Sequence, residues 1–224
     1  MLIKRSTGLV LYCKYDPGAG TFKDFSRNKH TITNHNVVPV RGKFGGAGYY
    51  NGTNAYLDCG NDSSLDITDA ITVEAWVKAS SFNGLFQRIV IHGIASSSGY
   101  QLTVKNGKIT LSRCNTTDWQ DSTQRETTTA IETGKWYHIV GTYDNGIFNI
   151  YFNGVAQSLS AEDQLGYGTG SDLLIGKRSD GYAFNGTIDE VRIYNRALSA
   201  SEILAHYKAK GYYGPLVHAP IRIP

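Results

Sequence analysis

Asp24, Ser26, Asn28 and His30 stand at alternate positions of one short polar stretch. In a loop, a single turn could present side-chain and backbone oxygens from several of them. A hard divalent cation such as calcium takes about six to eight oxygens from carboxylates, amides and carbonyls, so the spacing suits calcium. The same residues also read as an Asx turn, in which Asp24 bonds the backbone two residues on. One or two carboxylates would make any such metal site a weak one.

Paired carboxylates for acid–base work are harder to find. Retaining glycoside hydrolysis needs two of them on one face, about 5 Å apart. Asp189 and Glu190 are adjacent, so on a regular strand they point to opposite faces. Glu74 stands alone among Thr72, Trp76 and Lys78, and Glu126 and Glu132 lie in a Thr-rich stretch. The six histidines are scattered, with no Gly-x-Ser-x-Gly elbow and no His-x-x-x-His pair. Gly166-Tyr-Gly-Thr-Gly170 lacks the Lys-Ser/Thr of a phosphate loop. No catalytic residue is assigned, and an enzyme is not expected.

Sugar recognition would need an aromatic ring beside amides and carboxylates. Trp119 qualifies, next to Asp118 in a polar segment that no strand pattern claims. Tyr167 and Tyr182 qualify in Gly-rich segments, with Asp172 and Asp180 close by. Loops held on a rigid scaffold are where such sites form. The alternative is that each ring folds onto the rim of the core. Trp76 and Trp136 lie in regular strands and are expected in the core.

The elements that would carry these residues are strands. Ile71, Val73, Ala75 and Val77 alternate with polar neighbours, which is the period of a half-buried strand. Asn106-Gly107, Asn145-Gly146 and Asn153-Gly154 each favour positive φ and predict tight hairpins, the last leading into a short strand over 155–159. Residues 173–176 and 186–194 read as further strands. Ser199 followed by Glu202 and an apolar turn is a capping box, so one short helix begins there and ends by Gly211. No repeat or linker divides residues 1–211, which read as one domain. Residues 212–224 form an extended tail with three of the chain's five prolines.

The totals agree with this. The chain has 224 residues, 18% charged, with 25 Gly and 15 Tyr, which suits many strands and tight turns. A net charge of +3 with no cluster of basic and aromatic residues gives no reason to expect nucleic acid. No apolar run is long enough to span a membrane. Three widely spaced cysteines, Cys13, Cys59 and Cys114, read as small buried hydrophobes. No signal peptide is seen, which points to synthesis in the cytoplasm, or to an extracellular protein if the chain is an excised domain.

Four segments carry a resemblance. They are Asp24-Phe-Ser-Arg-Asn-Lys-His30, residues 48–57 (Gly-Tyr-Tyr-Asn-Gly-Thr-Asn-Ala-Tyr-Leu), Ile71-Thr-Val-Glu-Ala-Trp-Val-Lys78, and residues 186–198 followed by Ser-Ala-Ser-Glu-Ile. Together they resemble the laminin-G-like, concanavalin A-like family. The resemblance implies an all-β fold, a two-sheet antiparallel jelly-roll sandwich, with a glycan or protein ligand bound at its loops. It implies that Asp189 lies near the 24–30 loop as a further calcium ligand, although relatives carry Asn where His30 stands. Enzymes on this fold that cleave β-glucans carry Glu-x-Asp-x-(x)-Glu, which is absent here. A second expectation is a structural virion protein, assembling with other subunits or as a homo-oligomer through residues 212–224, whose apolar residues argue against a solvated tail.

Overall fold

The computed structural model describes residues 7–82, 86–93, 99–113, 123–161, 172–177 and 182–209. Its strands are β1 (Leu9–Asp16), β2 (Thr21–Asp24), β3 (Thr33–His35), β4 (Val38–Arg41), β5 (Gly46–Asn51), β6 (Tyr56–Asp58), β7 (Ile71–Ala79), β8 (Gln87–His92) and β9 (Tyr100–Lys105). They continue as β10 (Lys108–Arg113), β11 (Thr123–Thr127), β12 (Tyr137–Asp144), β13 (Ile147–Phe152), β14 (Val155–Ala156), β15 (Leu159–Ala161), β16 (Leu173–Ile175) and β17 (Asn185–Tyr194). One helix, α1 (Ala200–Lys208), follows.

The strands form two antiparallel sheets. The first runs β14-β13-β12-β7-β17-β1-β2, with β5 also on β17 and β4 on β5; the second runs β15-β11-β10-β9-β8-β16-β6-β3. Between them lies one apolar core, to which β7 gives Ile71, Val73, Ala75, Val77 and Ala79 as its alternation predicts. Cys13 and Cys59 are buried in it as free thiols, and Cys114 lies outside the described residues.

Local sequence sets the connections. Asn106, Asn145 and Asn153 adopt φ of 50°, 46° and 52°, each followed by a positive-φ glycine, as tight hairpins require. Ser199 caps α1 in a reciprocal capping box with Glu202. The expected strand over 155–159 divides: β14 stays on the first sheet, while β15 pairs with β11 on the second, so the chain changes sheets there. Trp76 is buried, but beneath α1 on the outer face of the first sheet, against Tyr207 and His138, and not between the sheets. Trp136 is half-buried under the Lys78 ammonium.

One glycine separates backbone from packing. Gly176 has φ 92°, and a Cβ there would sit 2.1 Å from the Tyr50 ring, whereas Gly134 has φ 74° and open space around it. Gly176→Ala is expected to lose about 3 kcal/mol, combining left-handed backbone strain with overpacking, and Gly134→Ala only about 1 kcal/mol. Urea denaturation checks the difference; equal losses would contradict the packing argument.

Candidate functional site

β17 contains a bulge. Its register with β7 slips by one residue between Asp189 and Arg192, and Glu190 adopts φ 54°. The extra residue keeps Ile188, Val191 and Ile193 in the core. It also turns both adjacent carboxylates to the outer face, where a regular strand would have separated them. Asp189 Oδ2 accepts from the Phe44 amide at 3.0 Å. Glu190 accepts from the Tyr12 hydroxyl at 2.5 Å and from Arg192.

From Arg192 the charges run on to α1. Its other guanidinium nitrogen donates to Glu74 Oε1 at 3.0 Å. His138 Nε2 lies 2.9 Å from that oxygen, and His206 Nδ1 of α1 lies 2.8 Å from Oε2. Burial acts to raise the Glu74 pKa, but Arg192, His138 and His206 outweigh it and hold the carboxyl well below its usual range. Both Glu74 oxygens and Glu190 Oε2 are therefore engaged by fixed donors, while Glu190 Oε1 is buried without a hydrogen-bond partner among the described residues. Burial pushes Asp189 up to about 7 against the opposing amide bond from Phe44.

The bulge also forks the sheet. On the edge of β17 away from β7, β1 pairs as far as Cys13–Val191, and β5 begins pairing at Gly48–Ile188. Neither strand pairs with Asp189 or Glu190. Beside this fork, between the end of β1 and the 42–45 turn, opens a cleft of about 270 Å³. Tyr15, Phe25 and Phe44 line it, all half-buried, with Lys14, Asp16 and the backbone of Gly45 and Gly46. Gly42 lets the turn approach: a Cβ there would sit 2.5 Å from Asp189 Oδ2. Phe44 meets Trp76 edge-on with centroids 5.3 Å apart, and Phe25 lies under the Lys14 ammonium at 5.3 Å.

The structure brings Asp24, Ser26, Asn28 and His30 into one loop, as hydrogen-bond partners. Asp24 Oδ1 accepts from the Tyr12 and Ser26 amides at 2.9 and 2.7 Å. Its Oδ2 takes the Ser26 hydroxyl at 2.7 Å, the His30 amide at 2.9 Å and His30 Nδ1 at 2.7 Å. Asn28 Nδ2 donates to the Val10 carbonyl at 2.9 Å. A carboxylate has about four acceptor sites, so these donors fill Asp24. Asp189 does not join the loop: β1 runs between them, with Cys13 paired to Asp24 on one side and to Val191 on the other. As arranged, these residues do not fit a calcium cage, and no three acidic, His or Cys side chains gather as a metal site among the described residues.

Of the expected ligand residues, Tyr182 is placed with its ring 5.4 Å from the Arg88 guanidinium. Arg88, Thr103, Thr110 and Glu126 stand side by side across β8 to β11 on the second sheet. The Thr103 and Thr110 hydroxyls there, and Gln101 Oε1 in the next row, are buried without a hydrogen-bond partner among the described residues. Asp118, Trp119, Tyr167 and Asp180 lie outside the described residues. Sequence reasoning missed Tyr15, Phe25 and Phe44. Phe44 sits in Gly42-Lys-Phe-Gly-Gly46, the aromatic-in-glycine signal that singled out Tyr167, and could have been found by it.

Two outcomes follow from this geometry. Arg192→Met leaves Glu74 and Glu190 buried without their shared counter-charge and should cost about 3–5 kcal/mol in urea denaturation; a loss under about 1 kcal/mol would contradict the network. For Asp24, burial acts to raise the pKa, and the bonds from His30, Tyr12 and Ser26 outweigh it, bringing it down to about 2 from the usual 3.8. Its contribution of about 2 kcal/mol is present above pH 4 and lost as pH falls through 2. Stability of Asp24→Asn should therefore fall less steeply than wild type from about pH 4 to 2, with the melting temperature unchanged by EDTA.

The sequence matches, over residues 51–204, the model of a family described as the concanavalin A-like lectin/glucanases superfamily. No curated protein matches it by sequence. Among solved structures, the binding domain of Paraclostridial Mosquitocidal Protein 1 is similar with a TM-score of 0.70 at 18% identity, over 89% of this chain and 52% of that one. Domain 4 of AbnA, a GH43 extracellular arabinanase from Geobacillus stearothermophilus in complex with arabinotriose, gives 0.67 at 22% identity, over 88% and 97%. The binding domain of botulinum neurotoxin DC in complex with rat synaptotagmin II gives 0.68 at 11%, over 93% and 53%. The chain thus spans about half the length of these toxin domains, and identities this low speak for the fold alone. With the family match covering most of its length and both sheets in place, the chain belongs to the concanavalin A-like lectin/glucanase superfamily.

Proposed function

We propose that the protein is a carbohydrate-recognition module that holds sugar units in the cleft beside the β17 fork without transforming them. The observation that carries this is the cleft's lining: Tyr15, Phe25 and Phe44 beside Lys14, Asp16 and open glycine backbone. Small-ligand sites combine apolar walls with a few placed polar groups, and a sugar offers the matching C–H faces and hydroxyls. The two carboxylates nearest the fork are buried, Glu190 Oε2 against Arg192 and the Tyr12 hydroxyl and Asp189 Oδ2 against the Phe44 amide, and neither lines the cleft, which favours binding over hydrolysis. The likeness to an arabinanase domain in complex with arabinotriose supports the reading.

A glycan array followed by titration calorimetry tests it. Specific hits are expected, and Phe44→Ala should weaken the best of them at least tenfold, about 1.4 kcal/mol, in protein that still melts cooperatively. Loss on Trp119→Ala with Phe44→Ala unaffected would move the site to the 114–122 connection. A blank array on folded protein would overturn the reading in favour of a protein ligand, or of assembly through residues 212–224.

A further inference from the structure

The charges around the cleft are not balanced. Lys29 lies over Phe25 with its ammonium 6.0 Å from the ring centroid, and Lys43 lies over Trp76, the neighbour of Phe44, at 4.7 Å. Both lysines are exposed, and neither has an acidic partner within 4.0 Å among the described residues. Lys14 adds a third ammonium on the cleft wall, 3.7 Å from Glu190. The acids nearby do not offset these at the surface. Asp16 is engaged by Lys23 at 3.1 Å, Glu190 is buried against Arg192 and Tyr12, and Asp189 is buried under the 42–45 turn. One exposed ammonium thus sits over a ring that lines the cleft, Phe25, and another stands on the 42–45 turn next to Phe44, neither of them neutralised by an acid.

Resting on the carbohydrate reading, we infer that the cleft selects an acidic sugar unit, one carrying a carboxylate or sulfate, with Lys29, held over Phe25, and Lys43 drawing the anion and Phe44 taking a ring face. Size favours a sugar over a longer anionic chain. Small-ligand pockets run from roughly 300 to 1,000 Å³, and this cleft, at about 270 Å³, falls just below that range, room for one or two sugar rings and not for an extended peptide. Because the lysines are exposed, screening acts on them: the Debye length is about 8 Å at physiological ionic strength, so affinity falls as salt rises.

The test is an array that pairs each acidic oligosaccharide with its neutral counterpart: sialylated with desialylated, uronate-containing with carboxyl-reduced, sulfated with desulfated. The best pair is then titrated by calorimetry. The acidic member should bind at least tenfold tighter, and the double variant Lys29→Gln/Lys43→Gln should bring it to the affinity of the neutral one while leaving the melting temperature unchanged. Equal binding of both members would overturn the inference and leave carbohydrate recognition standing; binding of neither would remove both. Acid-selective binding that survives the double variant and Phe25→Ala would place the anion site elsewhere and overturn the assignment. A polyglutamate peptide binding as tightly as the acidic sugar would overturn the choice of ligand class.

Discussion

Arg192 is held between two buried carboxylates, Glu74 and Glu190, with the Tyr12 ring 4.3 Å from its guanidinium, and the outer face of the first sheet is arranged around it. Buried ion pairs add little net stability, since desolvation offsets most of the attraction. What this one fixes is register. Side chains alternate with a period of two, so a slip of one residue would drive Arg192 into the apolar core and bring Val191 and Ile193 out. The bulge lets apolar residues face inward on both sides of it while Asp189, Glu190 and Arg192 stay with their partners. Through His138 and His206 the same row fastens α1 over β7, with Trp76 and Tyr207 stacked at 5.8 Å.

The fork follows from the bulge, and the cleft from the fork. Two strands share one edge of β17, and neither can pair where the extra residue breaks the ladder. Asp189 uses the interruption to hold the 42–45 turn, which carries Phe44 into place. The Asp24 hub ties the 24–30 loop to β1, which places Phe25 across the opening. A rigid double sheet thus positions rings that belong to two short loops, the arrangement in which loops bind ligands well.

Much of the fold was legible because it is written locally. The alternation of β7, the Asn-Gly hairpins and the Ser199–Glu202 capping box each depend on residues a few positions apart. The site was less so. Glu74 looks solitary because its partners His138, Arg192 and His206 lie 64, 118 and 132 residues away. The bulge is silent in sequence, because Asp189-Glu190 reads the same whether or not the strand is regular. In the 24–30 stretch, alternating polar residues are visible but their roles are not. Amides and His30 acting as donors turn a would-be ligand set into a closed hydrogen-bonded loop. Of the expected ligand residues only Tyr182 can be placed, and it lies against Arg88 on the second sheet, away from the fork.

The most direct measurement is a crystal structure of the protein with the best-binding oligosaccharide diffused into it. Sugar density is expected between Phe25 and Phe44, over the Gly45 backbone, with the bulge at Asp189–Glu190 in place beneath. Density instead on the second sheet, against Gln101, Thr103 and Thr110, would contradict it.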